Sequence, residues 1–450
     1  MRWLTVAHDL SVWLQGERVG ALSLVEGRMS FQYSTSALDN PSIPALSISL
    51  PKRVSPFSDS EARPFFAGLL PEGAQRARLE KITHVSRQNE FGMLRALGGE
   101  CAGAVTITLD DRAPTQGQSA QVQWLSDEEL GQVIRELPRR PMLAGTDGLR
   151  LSLAGAQDKL PVVFDGHRVG LPLNGSPSTH IMKPAIRTLD GSVINEAFSL
   201  KLAGAMGLQV AESLVLNAAG EQTLLVERYD RIHEKLGAIH RVHQEDFCQA
   251  LGVVSEAKYQ SEGGPGFSDA FDLLRKATRP SVMNVLNLFD YAVFNVLVGN
   301  HDAHGKNYSL LYSDKGPVLA PLYDVLSTTI YPELTNKMAM KIGGKYKFTE
   351  IMDRHWDRFA DDCGLSKSHS RKRIKELANA LPETARKLAG QHEAFAESDV
   401  VAKILDVVDH RSALTLERLP SNAQRLVAGL NKINRDTSET KPKPKGPNLR

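Results

Sequence analysis

The segment GNHDAHGKNYSLL, residues 299–311, follows the apolar segment 281–298 and gathers two histidines, an aspartate and a lysine ahead of Asn307. Asp302 and Asn307 stand five residues apart, which is the D-x-x-x-x-N interval of kinase catalytic loops. Phosphoryl transfer from ATP needs a carboxylate that orients the attacking hydroxyl and hard oxygen ligands for Mg²⁺. The spacing therefore predicts Asp302 as a catalytic base and Asn307 as a magnesium ligand.

The segment that follows, SLLYSDKGPVLAPLYDVLS (residues 309–327), has the pattern of a β-hairpin. An apolar strand, a turn at residues 313–316 and a second apolar strand ending at Asp324 would bring Asp324 back beside Asn307. Asp324 would then be the second metal ligand, in the role of the aspartate of the kinase D-F-G motif.

Three upstream motifs fit a nucleotide site. The short apolar strand HIMKP (180–184) ends in Lys183, where a kinase holds the lysine that pairs with phosphates. The small-residue turn SLAGAQDK (152–159) can bring backbone N–H groups close to phosphates, although it is neither a Walker A motif nor GxGxxG. VERYDR (226–231) falls where the hinge between two lobes is expected, so its backbone would bond the adenine edge.

Two other interpretations stay open at this stage. Taken singly, His301 and Asp302 would cap a helix end, and Asn307 would belong to a turn. Alternatively, His301 and Asp302, with His304 nearby, would hold a transition metal in a phosphohydrolase. That site needs further ligands on neighbouring helices, whereas the histidines at positions 233–243 fall in a polar, hairpin-like region.

The order of predicted elements indicates an α+β protein with three folded parts. Alternating apolar residues from 3 to about 34 predict short strands, and a further strand is expected in 41–53. Helices are expected at 64–82, interrupted at LLPEG, and at 88–98. Residues 150–153, 160–164 and 167–173 are expected to be strands, the last two joined by a hairpin at Asp165-Gly166. The remaining predicted elements are a helix in 196–208, a hairpin in 210–231, the buried helix 281–300 and helices in 366–395 and 398–433.

Domain limits follow from breaks in this pattern. A β-rich first domain is expected at 1–115, a linker at 112–125, an ATP-binding lobe at 116–230, a helical catalytic lobe at 231–433, and a disordered basic tail at 434–450.

Composition excludes several classes of protein. The 54 Lys and Arg residues nearly balance the 52 Asp and Glu residues, so charge alone implies no polyanion partner. No apolar run is expected to reach the length of a membrane span, and the first residues do not form a signal peptide. Only three cysteines are present, far apart, which favours a reducing cytoplasm.

The motifs together resemble the HipA family of bacterial toxin kinases. The resemblance rests on SLAGAQDK, HIMKP, VERYDR, HQEDFCQALG (243–252), GNHDAHGKNYS and LAPLYDVLST, with LSISLP and FFAGLLPEG in the first domain. It covers about residues 1–430 and implies a serine/threonine kinase of two lobes, distantly related to phosphoinositide kinases, with ATP and Mg²⁺ as cofactors. It also implies a HipB-like helix-turn-helix antitoxin, operator DNA contacted mainly through that antitoxin, and phosphorylation of an aminoacyl-tRNA synthetase such as the glutamyl enzyme, which stalls growth.

The resemblance assigns roles to individual residues. Asp302 is the base, Asn307 and Asp324 are metal ligands, and Ser152 is the autophosphorylated serine whose modification ejects the loop and inactivates the enzyme. A phosphate there would add roughly −1.5 to −2 charge beside the phosphates of ATP. His301 receives no role, and an intact set of groups argues against a non-catalytic regulator that binds only antitoxin and DNA. The remaining nucleotide contacts are Ala154, Gly155, Ala156, Gln157, Asp158, Lys159, Lys183, Glu227, Arg228, Tyr229, His304, Tyr323, Val325 and Leu326.

Overall fold

The structure is a computed structural model that describes residues 9–109, 111, 113–114, 121–233 and 238–419. Several predicted segments lie outside the described residues: the start of the first strand region at 3–8, the helical residues 420–433, the tail at 434–450 and most of the first half of the linker.

The N-terminal part packs helices against an antiparallel sheet of order β3-β2-β1-β4. Alternating burial along β3 turns Met29, Phe31 and Tyr33 toward the helices, as the period-2 pattern requires. The strands expected before residue 35 and the helices expected on either side of LLPEG and at 88–98 are confirmed here. The elements are β1 (Leu10–Leu14), β2 (Glu17–Val25), β3 (Arg28–Tyr33), α1 (Thr35–Asp39), α2 (Asp59–Ala67), α3 (Gly73–Thr83), α4 (Glu90–Leu97) and β4 (Val105–Thr108).

The strand expected in residues 41–53 does not form. Only a single bridge joins Ser47 to Leu50. Pro44 and Pro51 lack the N–H donors that a strand ladder needs, which explains the failure. The segment instead bonds to the helical lobe, where the Ile48 N–H donates to Oε1 of Glu245 at 3.0 Å.

The middle part is a six-stranded sheet of order β5-β7-β6-β8-β10-β9 with helices beside it. The hairpin at Asp165-Gly166 joins β6 to β7, and the Asp165 carboxylate accepts bonds from the next turn residues. The elements are β5 (Gln121–Trp124), α5 (Asp127–Glu136), β6 (Leu160–Phe164), β7 (Val169–Leu173), β8 (His180–Pro184), α6 (Ser192–Ala205), β9 (Ser213–Ala218) and β10 (Glu221–Glu227).

Two expectations for this part were wrong. Residues 150–153 are not a strand, because only one parallel bridge, Glu100 to Leu151, forms there. The predicted linker contains an edge strand, β5, whose Val122 and Trp124 alternate with glutamines and pair with β7. The polar composition of residues 112–125 led to the prediction of a linker, and the alternation at 121–124 was overlooked.

The C-terminal part is mostly helical. Its helices surround α9, whose apolar side chains are buried on nearly every side. The elements are β11 (Arg231–His233), β12 (Ile239–Arg241), β13 (Gln244–Asp246), α7 (Phe247–Leu251), α8 (Phe267–Ala277), α9 (Ser281–Val298), β14 (Ser309–Ser313), β15 (Gly316–Leu319), α10 (Asp353–Asp362), α11 (Lys367–Gln391), α12 (Glu393–Ala396) and α13 (Asp399–Arg418).

Helix α9 also tests the expectation that no segment of the chain is long and apolar enough to span a membrane. By length and composition alone its 18 residues could cross a membrane, so the expectation that no run approaches that length was wrong. However, 67% of the helix is buried inside the protein, as in the core helix of a globular lobe.

Three hydrophobic cores correspond to the three parts. One lies under the N-terminal sheet around Phe31 and Phe66, one beside the six-stranded sheet around Leu160 and Leu225, and the largest surrounds α9. The α+β class with a helical C-terminal lobe is thereby confirmed. The limits at 115, 230 and 433 stay predictions.

Candidate active site

A cleft of about 1200 Å³ lies where the three parts meet. All the residues predicted for the site line this cleft except Ser152 and Val325. Val325 is fully buried in the core around α9, so its side chain is not available to a nucleotide. The predicted residues that line the cleft are Ala154, Gly155, Ala156, Gln157, Asp158, Lys159, Lys183, Glu227, Arg228, Tyr229, Asp302, His304, Asn307, Tyr323, Asp324 and Leu326.

The loop after α9 is shaped by its own polar groups. The helix ends at Gly299, whose φ of +80° requires the freedom of glycine and turns the chain into the cleft. The Asp302 N–H donates to Oδ1 of Asn300 at 3.0 Å, and the His304 N–H donates to Oδ1 of Asn307 at 3.1 Å. These bonds within the loop place Asp302 and Asn307 on the same loop edge.

Asp324 lies beside Asn307, as the hairpin predicted. Nδ2 of Asn307 donates to Oδ2 of Asp324 at 2.9 Å. The second strand of the hairpin, however, ends at Leu319 and does not reach Asp324. Pro321 cannot donate to a ladder, and Asp324 itself has a left-handed φ of +59°. This conformation is uncommon for a non-glycine residue, although aspartate adopts it more often than most residues do.

Lys183 connects the sheet to this pair of residues. Its Nζ lies 2.6 Å from Oε1 of Glu196 and 2.7 Å from Oδ1 of Asp324. Burial lowers the pKa of Lys183, but the two carboxylates outweigh that effect and hold the pKa above its usual range. Burial likewise raises the pKa of Asp324, and the Lys183 and Lys159 ammonium groups more than reverse it, so Asp324 stays ionised.

Glu196 was missed by the sequence-based prediction. It lies on α6, the helix that follows the Lys183 strand, and it is 1% exposed. Kinases place an ion pair between a strand lysine and a glutamate of the next helix. That rule, applied to the helix beginning near residue 192, would have identified Glu196.

The phosphate loop 154–159 packs against the N-terminal part. Gly155 has a φ of +108°, a backbone conformation that strains any residue with a side chain and therefore favours glycine. The Glu72 N–H donates to the Gly155 carbonyl at 3.0 Å, and Arg78 pairs with Asp158 at 2.8 Å. The first domain therefore positions this loop, a role that no sequence pattern indicated.

Lys159 has no carboxylate within salt-bridge distance among the described residues. Its Nζ donates to the Ala154 carbonyl at 2.8 Å, and burial lowers its pKa to about 8. A partly buried cation of this kind favours an anionic ligand, because a phosphate would supply the missing counter-charge.

Ser152 lies outside the cleft. Its side chain is fully buried, and Oγ donates to the Leu69 carbonyl at 2.8 Å. Its N–H donates to the Glu100 carbonyl at 2.9 Å, so both the chain and the hydroxyl are held by the N-terminal part. In this conformation the hydroxyl of Ser152 cannot reach a phosphate group that is transferred from ATP in the cleft.

The hinge offers fewer groups than predicted. The N–H groups of Glu227 and Arg228 already donate to the carbonyls of Glu212 and Thr179, at 2.8 and 2.9 Å. Tyr229 is the hinge residue whose N–H has no acceptor among the described residues, and its ring lies 5.8 Å from that of Tyr323. Of the predicted hinge donors, Tyr229 is the one left to bond an adenine.

The Arg228 side chain belongs to a buried ion cluster. It contacts Asp230 at 2.8 Å and Glu100 at 3.2 Å, and Glu100 also pairs with Arg231 and Arg241 at 2.8 and 2.6 Å. One glutamate of the N-terminal part thereby holds three arginines at the end of the sheet. The side chain of Arg228 fixes the hinge and is not free to contact a nucleotide.

The two histidines of the loop are both neutral. Burial lowers the pKa of His304 to about 3 and that of His301 to about 4. Nδ1 of His304 accepts from the Lys306 N–H at 3.3 Å, so its proton resides on Nε2, which can donate to a phosphate. Both ring nitrogens of His301 are engaged, with the Thr335 carbonyl and with Arg411.

These contacts bear on the phosphohydrolase alternative. A metal-binding histidine needs a free ring nitrogen, and His301 has none available. Within the described ranges, no group of three or more His, Cys, Asp or Glu residues could hold a metal ion. Asn307 with the ionised Asp324 instead forms a small set of hard oxygen donors, which fits Mg²⁺ beside substrate phosphates.

Fold and site together define a two-lobed, kinase-like protein with an added N-terminal domain. Comparison with known families agrees: the HipA N-terminal domain matches residues 10–108, and the HipA-like C-terminal domain matches residues 151–385. The chain belongs to the HipA family.

Individual relatives support the same assignment. The chain is 45% identical over 410 residues to Y4mE of Sinorhizobium fredii, provisionally named a kinase, covering 90% of this chain and 98% of the relative. It is 30% identical over 332 residues to the serine/threonine-protein kinase toxin HipA of Shewanella oneidensis, covering 71% and 75%. Among solved structures, HipA in the Shewanella oneidensis complex of HipA, HipB and operator DNA matches with a TM-score of 0.80 and 27% identity, over 91% of this chain and 98% of that one.

Proposed function

We propose that the chain is an ATP- and Mg²⁺-dependent serine/threonine protein kinase and the toxin of a toxin-antitoxin pair. The observation that carries the proposal is the convergence of Lys183, Asp324 and Asn307 in one cleft, with Asp302 on the same loop. Lys183 Nζ contacts Asp324 at 2.7 Å, and Asn307 contacts the other oxygen of Asp324 at 2.9 Å. This is the set of groups that phosphoryl transfer from ATP requires.

The residues divide the work between binding and transfer. Tyr229 would bond the adenine, and the loop 154–159 with Lys159 and Lys183 would hold the phosphates. Asn307 and Asp324 would hold Mg²⁺, which when bound neutralises charge that develops on the phosphates. Asp302 would accept the proton of the substrate hydroxyl, and His304 would donate from Nε2 to a phosphate oxygen.

Partners are proposed from the family and its relatives. A HipB-like helix-turn-helix antitoxin would neutralise the chain, and operator DNA would be contacted mainly through that antitoxin. The substrate would be a component of translation, and an aminoacyl-tRNA synthetase such as the glutamyl enzyme is our first candidate. A reducing cytoplasm is proposed as the location, because Cys101, Cys248 and Cys363 are free and buried.

Regulation by self-phosphorylation at Ser152 is also part of the proposal. The buried hydroxyl would have to leave its bond to Leu69 before modification, and the added charge could not return to that site. Modification would therefore keep the phosphate loop displaced and the enzyme inactive.

The test is incubation of the purified chain with γ-labelled ATP, alone and with cell lysate, in Mg²⁺ and then in Zn²⁺ or Mn²⁺ after chelation. We expect label on the chain and on a lysate protein in Mg²⁺. A folded chain that binds ATP but transfers no label would favour the non-catalytic regulator. Release of free phosphate that depends on Zn²⁺ or Mn²⁺ would favour the phosphohydrolase.

A further inference from the structure

Tyr259 contacts the proposed catalytic base, although no motif pointed to it. It lies between two short 3-10 helices, Ser255–Ala257 and Gln260–Glu262. Its hydroxyl donates to Oδ1 of Asp302 at 2.7 Å. Its ring meets the His304 ring edge-on, with the centroids 5.0 Å apart. The phenol thus touches two residues of the catalytic loop.

The segment that carries Tyr259 is held on three sides. The Gly305 N–H donates to the Lys258 carbonyl at 3.3 Å, and the Gln260 N–H donates to the Ala339 carbonyl at 3.2 Å. Nζ of Lys258 pairs with Glu72 of the N-terminal part at 2.9 Å. The position of the hydroxyl is therefore determined by the surrounding fold as well as by its bond to Asp302.

A catalytic carboxylate must present one oxygen to the substrate hydroxyl while its other oxygen keeps the group oriented. Oδ1 of Asp302 is taken by Tyr259, whereas Oδ2 has no hydrogen-bond partner within the described residues. The side chain of Asp302 is exposed to the cleft, so packing alone does not fix its rotamer. The Tyr259 hydroxyl supplies the missing constraint.

We propose that Tyr259 is a positioning residue for phosphoryl transfer, which orients Asp302 through Oδ1 and leaves Oδ2 to receive the proton of the substrate hydroxyl. This inference rests on the proposed kinase function. It adds a group from outside the catalytic loop to the machinery of that loop.

Electrostatics supply a readout that a purely structural role would not change. The side chain of Asp302 is exposed to the cleft, but partial desolvation by the cleft walls raises its pKa, and the hydrogen bond from Tyr259 opposes that rise. The other charged groups that act on Asp302 are Asp324, Lys258 and Glu72. Without the phenol hydroxyl, the ionised form of Asp302 loses a donor, so its pKa rises further and the base is protonated up to a higher pH.

The experiment compares wild type with Tyr259→Phe as full chains. The rate of label transfer from Mg²⁺-ATP to the chain is followed by rapid quench from about pH 5 to about pH 9, and binding of a non-hydrolysable ATP analogue is measured by calorimetry. We expect a rate constant reduced by about tenfold or more, unchanged affinity for the analogue, and an acidic limb of the rate profile displaced to higher pH.

Tyr331→Phe is the matched control. It also removes a phenol hydroxyl from the helical lobe, one that donates to the Asp190 carbonyl at 2.9 Å and does not line the cleft. Its rate and pH profile should equal those of wild type. An active wild type with a Tyr259→Phe variant of the same rate and pH profile would overturn the inference, and so would label found on Tyr259 itself, because the hydroxyl would then be an acceptor. If the folded wild type transferred no label at any pH, the proposed kinase function itself would be refuted. That result is distinct from a failure of the inference about Tyr259 alone.

Discussion

Nδ2 of Asn307 donates to Oδ2 of Asp324 at 2.9 Å, across a hairpin that separates the two residues by 17 positions. The other oxygen of Asp324 contacts Lys183, so one carboxylate joins the helical lobe to the sheet. Two residues proposed to hold a metal ion are therefore in contact before any ligand binds. Asn307 faces Asp324 through its N–H group, so a metal ion bound between them would replace that N–H as the partner of Oδ2 of Asp324.

Asp324→Asn should weaken binding of the metal while the chain still folds. The amide keeps the shape of the side chain but removes the charge that attracts Mg²⁺ and pairs with Lys183. We expect affinity for Mg²⁺-ATP to fall by about tenfold or more, since a charge-assisted contact contributes roughly 1.5–3 kcal/mol. Calorimetric titration measures this, with Asp314→Asn in the exposed hairpin turn as the control. Equal affinity in the Asp324 variant and wild type would remove Asp324 from the metal site.

Asp302→Asn should abolish transfer and leave the fold intact. An amide cannot accept the proton of the substrate hydroxyl, and general base catalysis contributes about 10²- to 10⁴-fold. The carboxylate is exposed to the cleft, so the thermal midpoint should change little. Label transfer and growth arrest after induced expression are the measurements. Undiminished arrest by the Asp302→Asn variant would contradict the assignment of the base.

The parts of the site that sequence predicts well are those determined locally. The loop 299–307 is shaped by its own side chains, because Asn307 bonds to the His304 backbone and Asn300 bonds to that of Asp302. A fixed spacing of residue types is then sufficient to anticipate the geometry. Hairpins behave similarly, since turn residues and alternation specify their pairing.

The parts that were missed depend on contacts between distant segments. Glu72 reaches the phosphate loop and Lys258 only after the N-terminal part has docked, and no pattern around LLPEG indicates that. Tyr259 lies in a segment without regular periodicity. In the sequence, Ser152 is one residue of a predicted strand and nothing sets it apart. Only the packing in the structure shows that its hydroxyl is buried. Tertiary packing, which local propensity does not contain, decides such positions.

Ser152→Ala should remove most self-phosphorylation and keep ATP binding. Among the residues that the structure describes, the hydroxyl bonds only to the Leu69 carbonyl, at 2.8 Å, so its loss should cost about 1 kcal/mol of stability. Phosphopeptide mass spectrometry of the chain after incubation with ATP measures the effect.

Ser176→Ala is the control for this variant, because that serine is also buried and its Oγ accepts from the Gln121 N–H at 2.8 Å, away from the residues that line the cleft. It should keep the self-phosphorylation of wild type. Label that persists unchanged in the Ser152 variant and maps to another residue would show that the role implied by the family does not apply to Ser152.

Glu245 should make stability depend on pH. Its carboxyl is 1% exposed at the contact between the N-terminal segment 47–48 and the helical lobe, and burial raises its pKa from 4.5 to about 7. The folded state therefore binds a proton that the unfolded state releases between these two values. Stability should fall as the pH rises from about 4.5 to about 7 and level off above, by roughly 3 kcal/mol at most from this residue.

Glu245→Gln should flatten that dependence. The amide is neutral at every pH, and its oxygen can still accept from the Ile48 N–H, which donates to Oε1 at 3.0 Å in wild type. Urea unfolding at a series of pH values measures the difference, with Glu350→Gln at an exposed site as the control. The variant should equal wild type near pH 5 and exceed its stability near pH 8, because only wild type must bury a charge there. Parallel pH profiles for the two proteins would mean that Glu245 is ionised in the folded state throughout, with the donors Ser47 Oγ, Ile48 N–H and Tyr312 Oη outweighing burial.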